Sequence, residues 1–383
     1  MRLLIRPALL ALLALPSSAG ALLEDDLQTV LGFGPRVAGS PANEAARGYL
    51  EARFRALGYQ TRRQPFGYSR FDDLGSDVSV AGQVRAGRAL QDSAGGTVTA
   101  TAVRVPGAGT PEDFARVDVR GRVAVVTRGE IPFVQKARAA QAAGALGVVI
   151  VNHVAGELRG TLGEPLALPV LGVSPEVGAA LPDGAPVTLN VRVREGTVQG
   201  VNLIAFKGGG APPEVLFGAH LDSVSGAPGA NDNLSGSLAV LELARRMANT
   251  PLSARSYFTL FDGEEDGLRG SRAFVQDHPE VVAGLRAMFN LDMVGVNVMP
   301  LSISGEAALV AAAQRAGVPA SVGAPGSSDQ VPFRQAGVPT LFFHRGLDAH
   351  YHQPGDTALD PVLVRETVDA ALKIAGEVLG PVR

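Results

Sequence analysis

From Gly200 onward the chain alternates short apolar runs with amphipathic stretches, and this alternation constrains the fold more than any other feature. Residues 215–220, 256–261, 287–291 and 340–344 read as apolar strands. Residues 236–248 and 363–379 carry a helical apolar stripe. Strands spaced by helices build a mostly parallel sheet with helices on both faces, so an α/β, three-layer architecture is expected. Upstream, Ser40-Pro41 reads as an N-cap followed by Pro at the first helical position. Ala46, Leu50, Phe54 and Leu57 then share one helix face, and Gly58 closes it. A strand near residues 59–66 should follow.

Between about Phe71 and Glu195 the pattern breaks into short strands separated by Gly, Pro and Asp. Residues 122–127 and 147–152 read as strands around a helix over 132–143, closed by Gly144, and residues 187–194 alternate apolar with polar. A βαβ unit of the main fold would explain these elements alone. Arg128-Gly129, Phe133, Lys136 and the Ala143-Gly144-Ala145 turn nevertheless resemble the protease-associated (PA) domain, without the Cys often found after the Arg-Gly pair. The expected organisation is a leader over residues 1–21, a main domain over 22–70 and 196–383, and a β-rich, PA-like insert over 71–195.

The leader reading rests on Met1-Arg2 and Arg6, the apolar run Leu9 to Leu15, and the small residues Ser17 to Ala21, with cleavage expected after Ala19 or Ala21. A membrane anchor is the alternative, but the run is far shorter than the ~20 residues a spanning helix needs. A secreted or periplasmic protein is therefore expected, with no membrane association once the leader is removed. The net charge of −3 becomes −5 without Arg2 and Arg6, which argues against a nucleic-acid partner. The chain has no Cys, so any zinc ligands must be His, Asp or Glu.

In open α/β sheets, ligands bind beyond the carboxyl ends of the strands. Here each strand end delivers an imidazole or a carboxylate. Residues 215–219 lead into His220-Leu221-Asp222 and then to Asn231-Asp232-Asn233 at a helix start. The next strand runs into Asp262-Gly263-Glu264-Glu265, the third into Asp292, and the fourth reaches His350-Tyr351-His352. So many carboxylates on one edge would repel one another without a cation. Mixed His and carboxylate donors suit zinc, with manganese or cobalt also possible.

His220-x-Asp222, Asn231-Asp232-Asn233-x-Ser235-Gly236, Glu264-Glu265-x-Gly267-Leu268-x-Gly270-Ser271, Asn290-x-Asp292 and Tyr351-His352-x-Pro354-x-Asp356 resemble the M28 family of co-catalytic zinc aminopeptidases, in the family's order. The resemblance implies two Zn²⁺ per chain, bridged by Asp232. His220 and Asp292 would complete one site, Glu265 and His352 the other. Glu264 would be the general base, Tyr351 would donate to the oxyanion, and Asp222 would hydrogen-bond the far nitrogen of His220. A cis peptide at Asp232-Asn233 is implied too. Gln330 departs from the family, which usually has His there. The implied substrate is a peptide with a free amino terminus. His350, two residues from His352, is the rival ligand, and Asp262 and Asp266 read as turn or surface carboxylates. Three other functions stay open. A carboxypeptidase would need a basic pocket, for which Arg334 and Arg345 are candidates. A glutaminyl cyclase would bind one metal, and a non-enzymatic PA-domain binding protein would need a broken site.

Overall fold

The computed structural model describes residues 19–208, 212–324 and 326–380. The leader lies outside the described residues as far as residue 18. The described chain divides into two compact units, one formed by residues 19–68 with 198–380 and the other by Ser69–Thr197.

In the first unit an eight-stranded sheet contains β1 (Gln60–Asp73), β2 (Val193–Phe206), β3 (Val215–His220), β4 (Ser256–Phe261), β5 (Ala287–Leu291), β6 (Ser302–Gly305), β7 (Ser321–Val322) and β8 (Thr340–His344). Their spatial order is β1-β2-β4-β3-β5-β8-β6-β7. The central four, β4-β3-β5-β8, run parallel, while β2 and β6 join antiparallel. The register sets His220 beside Phe261 and Leu291 beside Phe343, so the residues after these strands emerge along one edge. Both boundaries of the second unit fall inside strands, β1 and β2.

Strand alternation assigns the two faces. Val215, Phe217 and Ala219 join Phe258, Phe289, Leu341 and Phe343 in one apolar core. Helices Ala19–Leu31, Pro41–Ala56, Ser235–Met247, Ala307–Arg315 and Pro361–Leu379 cover it. Leu216, Phe261 and Met288 point the other way, against Phe274, Val281, Val282 and Phe333 from shorter helices. Three layers follow from this period-two split. Helix Pro41–Ala56 begins as its cap residues dictate: the Ser40 side chain accepts from the Asn43 amide, and Ala46, Leu50 and Phe54 are buried. Among the described residues no helix is long and apolar enough to cross a membrane.

The second unit holds its own eight-stranded sheet. Its middle strands are Pro186–Val191, Gly96–Arg104, Val123–Thr127, Gly147–Val151 and Val170–Val173. Helix Phe133–Ala142 packs on one face, and separate valine-rich cores lie on the two faces. This is the β-rich region that precedes most of the main sheet in sequence.

Candidate metal centre

His220 ends β3, and the chain then loops to Asp232 in a turn, Ala230–Leu234, just before helix Ser235–Met247. Gly236, second in that helix, lets the backbone touch β5: a Cβ there would collide with the Leu291 carbonyl. The Asp232-Asn233 peptide is cis. Asn233 Oδ1 accepts from the Gly236 and Met293 amides, and its Nδ2 donates to the Leu291 carbonyl at 3.0 Å. Asn231 and Ser235 accept from the Gly295 and Val294 amides. The turn carrying Asp232 is thereby stitched to the loop carrying Asp292. Asp356 fastens it from behind, accepting from the Asn231 amide at 2.7 Å and the Asp232 amide at 3.0 Å.

His220, Asp232, Glu264, Glu265, Asp292, Tyr351 and His352 all line one cavity of about 410 Å³. Asp232 faces two ways within it. Its Oδ1 lies 3.3 Å from His220 Nε2, which is also 3.5 Å from Asp292 Oδ1. Its Oδ2 lies 3.2 Å from His352 Nε2, which is 3.0 Å from Glu265 Oε2. Ligand atoms of His220, Glu264 and Asp292 fall within 4.8 Å of one another, as do those of His220, Asp232 and Glu265. Asp292 Oδ1 and Glu265 Oε1 are buried without a hydrogen-bond partner among the described residues. Buried carboxylate oxygens pointing into a common space with no donor are what a divalent cation would satisfy. The donor set therefore fits metal.

Protonation reports the same surplus of negative charge. Burial pushes Glu264 well above the usual carboxylate range, with Asp329, Asp292 and Glu265 adding to the effect against the pull of His220. Burial and Asp232 push Glu265 up to about 7. Burial opposes charge on His352, yet Asp232 and Glu265 raise it to about 9. The Tyr351 phenol is also raised, by burial first and then by Asp232, Glu265, Asp292 and Glu264, which keeps it a proton donor. Its ring stacks on His352 with centroids 3.8 Å apart. Met293 and His352, beside and within this His and carboxylate cluster, both adopt left-handed backbone, a conformation costing ~1–3 kcal/mol that concentrates at functional sites.

Several expectations change. His220 Nδ1 meets the backbone carbonyl of Asp222 at 3.1 Å, while the Asp222 carboxylate stands 3.7 Å away. That carboxylate instead accepts the amides of Glu264 and Glu265, because the β4 turn brings two unpaired donors to it. Asp262 is no surface group. It is fully buried, ion-paired to Arg47 at 2.7 Å and bonded to the Val201 and Gly263 amides. His350 is exposed, with its backbone amide on Asp348, and does not line the cavity. His344 does line it and bonds the Asp292 carbonyl at 2.9 Å. Gln330 is buried beneath, where its Oε1 accepts from Asn290 at 2.8 Å. Arg345 is consumed by an ion pair with Glu366 at 2.8 Å, and neither it nor Arg334 reaches the cavity. Met293, Met299, Phe342 and Leu347 supply an apolar wall.

Sequence reasoning missed Asp329, which is 0% exposed, and it gave Asp356 no role. It also passed over Arg36, a fully buried arginine bonded to the loop between His220 and Asp232. An Arg in a Gly-Pro turn carries no periodic signal, whereas Asp356 stood within a motif and could have been read.

Residues 202–375 match Peptidase family M28, and residues 94–181 match the PA domain. Aminopeptidase YwaD of Bacillus subtilis is 32% identical over 355 residues, covering 85% of this chain and 76% of YwaD. The chain spans 55% of the length of some other curated aminopeptidases that it matches. An aminopeptidase from Aneurinibacillus sp. strain AM-1 superposes with a TM-score of 0.75 at 30% identity, covering 94% of this chain and 93% of that one. The structure titled BSAP, a zinc aminopeptidase from Bacillus subtilis, gives 0.75 at 27% identity, with 94% of each chain covered.

Proposed function

The chain belongs to peptidase family M28, and from that membership we propose that it is an exported aminopeptidase working with two zinc ions. The observation that carries the reading is the two-sided placement of Asp232, one oxygen toward His220 and the other toward His352. His220 and Asp292 would hold one ion, Glu265 and His352 the other, with Asp232 between them. Imidazole with carboxylate is a zinc donor set. When bound, such cations acidify a water and polarise a carbonyl.

This chain's residues would do the rest. Glu264 would take the proton of the attacking water and return it to the departing amine. Its backbone is pinned for that task by Asp222. Tyr351, held protonated, would donate to the oxygen that gains charge. The carboxylates favour a substrate's free ammonium group. No Lys or Arg stands among the described residues lining the cavity, which weighs against binding a substrate's terminal carboxylate. The apolar wall of Met293, Met299, Phe342 and Leu347 suits an apolar first side chain. Export rests on the leader at residues 1–21.

The test pairs metal analysis with a substrate set. The purified chain should contain two zinc ions, hydrolyse leucine p-nitroanilide, leave the N-acetylated substrate intact, and lose activity to a chelator reversibly. Hydrolysis of the blocked substrate, or full activity after metal removal, would refute the proposal.

A further inference from the structure

We propose that Arg36 is a positioning residue for the metal centre: its guanidinium fixes both ends of the loop separating His220 from Asp232, and so sets where these two ligands stand. The inference rests on the metal-binding reading above and extends it to a residue that touches no metal. Arg36 lies between the two N-terminal helices and is 0% exposed. Its Nε donates to the Leu221 carbonyl at 2.8 Å, immediately after His220. Its Nη1 and Nη2 donate to the Pro228 and Gly229 carbonyls at 2.6 and 2.9 Å, just before the Asp232 turn. The backbone completes the grip: the Arg36 amide donates to Ser223 Oγ at 3.0 Å, and Ser223 Oγ donates to the Ala227 carbonyl at 2.9 Å. Asn43 Nδ2 donates to the Arg36 carbonyl at 2.9 Å, which anchors the clamp to helix Pro41–Ala56.

Two features separate this from an ordinary loop staple. All three acceptors are neutral carbonyls and no described residue forms an ion pair with the guanidinium, so the buried cation carries a desolvation penalty that no carboxylate contact offsets. A neutral amide could supply donors without that penalty. The charge instead serves the acidic centre next to it. Burial lowers the guanidinium pKa to about 10, while Asp222, Asp356, Asp232 and Glu265 pull it upward, so it stays charged at neutral pH. The shape of the group matters as much. A planar fork presents donors in several fixed directions at once, which a lysine ammonium on a flexible stem cannot reproduce. Gly229, at φ 67°, lets the backbone approach the fork, since a Cβ there would stand 3.1 Å from Nη2 and 2.6 Å from Ser223 Cβ.

The experiment measures zinc affinity, not turnover. Apo protein is titrated with zinc against a chromogenic chelator for the wild type, R36K, R36M and Phe54→Leu. The last removes buried volume from helix Pro41–Ala56 without touching the loop. Near-ultraviolet circular dichroism in chelator verifies folding. R36K should bind zinc about 10–100-fold more weakly, the usual effect of losing a group that orients a ligand. R36M should be weaker still, Phe54→Leu should match the wild type, and added zinc should restore activity to R36K. Should R36M fail to fold, R36K decides the matter. Wild-type affinity in R36K, or an equal loss in Phe54→Leu, overturns the proposal. A wild type that takes up no zinc overturns the metal-centre reading first, and this inference with it.

Discussion

Glu264 and Glu265 are neighbours with different proposed duties, and exchanging Glu264 for Gln separates them. Gln keeps the side-chain shape, and the backbone here is held independently, since the Asp222 carboxylate accepts the amides of residues 264 and 265 at 3.2 and 3.1 Å. What disappears is a proton acceptor facing the cavity. Losing a general base costs typically 10²–10⁴-fold in kcat, which is ~3–5 kcal/mol at 1.36 kcal/mol per decade. Zinc content should stay at two per chain. Glu265→Gln should behave differently, because Glu265 Oε2 lies 3.0 Å from His352 Nε2 in the second half of the cluster. There the zinc content should fall, and added zinc should recover part of the activity. The pH profile supplies a further check. Glu264 must be ionised to accept a proton, and its burial among Asp329, Asp292 and Glu265 raises its pKa. Wild-type kcat/KM should therefore fall on the acid side as Glu264 gains a proton, and this limb should vanish in the Gln variant. The assay is p-nitroanilide hydrolysis from pH 4 to pH 9 beside metal analysis by mass spectrometry. Loss of zinc from Glu264→Gln would refute the assignment in favour of His220, Glu264 and Asp292 as a ligand trio, which their 4.8 Å clustering permits. Near-normal turnover would remove Glu264 from the mechanism.

Tyr351→Phe should lower kcat by about 10²–10³-fold, the effect of deleting one oxyanion donor, with little change in KM or zinc content. The raised phenol pKa also means that no alkaline limb below pH 10 should be lost with it. Against the apolar wall, leucine p-nitroanilide should exceed the alanine substrate by at least ~10-fold in kcat/KM, from ~0.8 kcal/mol per buried methylene, and equal rates would refute that pocket. Glu214 accepts Arg255 at 2.5 and 2.9 Å and Arg286 at 3.2 Å, and the Arg255 bond leads in depressing its pKa. A depressed folded-state pKa stabilises above the unfolded value and is lost as pH falls through the folded one. Glu214→Gln should thus cost about 0.5–1 kcal/mol in urea unfolding at pH 7, and the deficit should shrink as pH falls through the lowered folded-state pKa; a deficit that grows with acid would contradict the sign.

The central strands were legible because burial on both faces leaves them mostly apolar. Val215–His220, Ser256–Phe261, Ala287–Leu291 and Thr340–His344 have the ends that the sequence suggests. The outer strands were not. Gln60–Asp73 carries Arg62, Arg63 and Gln64 and runs seven residues past the expected Phe66, with a mostly exposed or half-exposed pattern. Its continuation follows from pairing with Val193–Phe206, which no local pattern encodes. Ser321–Val322 is too short and exposed to signal anything.

The candidate site divides along the same physical line. Groups that would touch a cation must be imidazoles or carboxylates, and the parallel sheet fixes where along the chain they can occur. His220, Asp232, Glu265, Asp292 and His352 therefore stand among the candidates that chemistry and position offer, and the resemblance to the family's motifs singles them out from neighbours such as His350 and Asp222. Groups that hold those ligands are under no such restriction, since any donor or acceptor at the right place serves. Asp222 was expected on an imidazole two residues away, and its carboxylate is instead used by two amides 42 and 43 positions along. Arg36 reaches carbonyls 185, 192 and 193 residues away. Its identity as an arginine is required by three simultaneous acceptors and by nearby negative charge, conditions that exist only once the sheet has closed. A motif therefore marks the atoms that would meet a metal, and the support for them becomes visible only where buried hydrogen bonds connect distant segments.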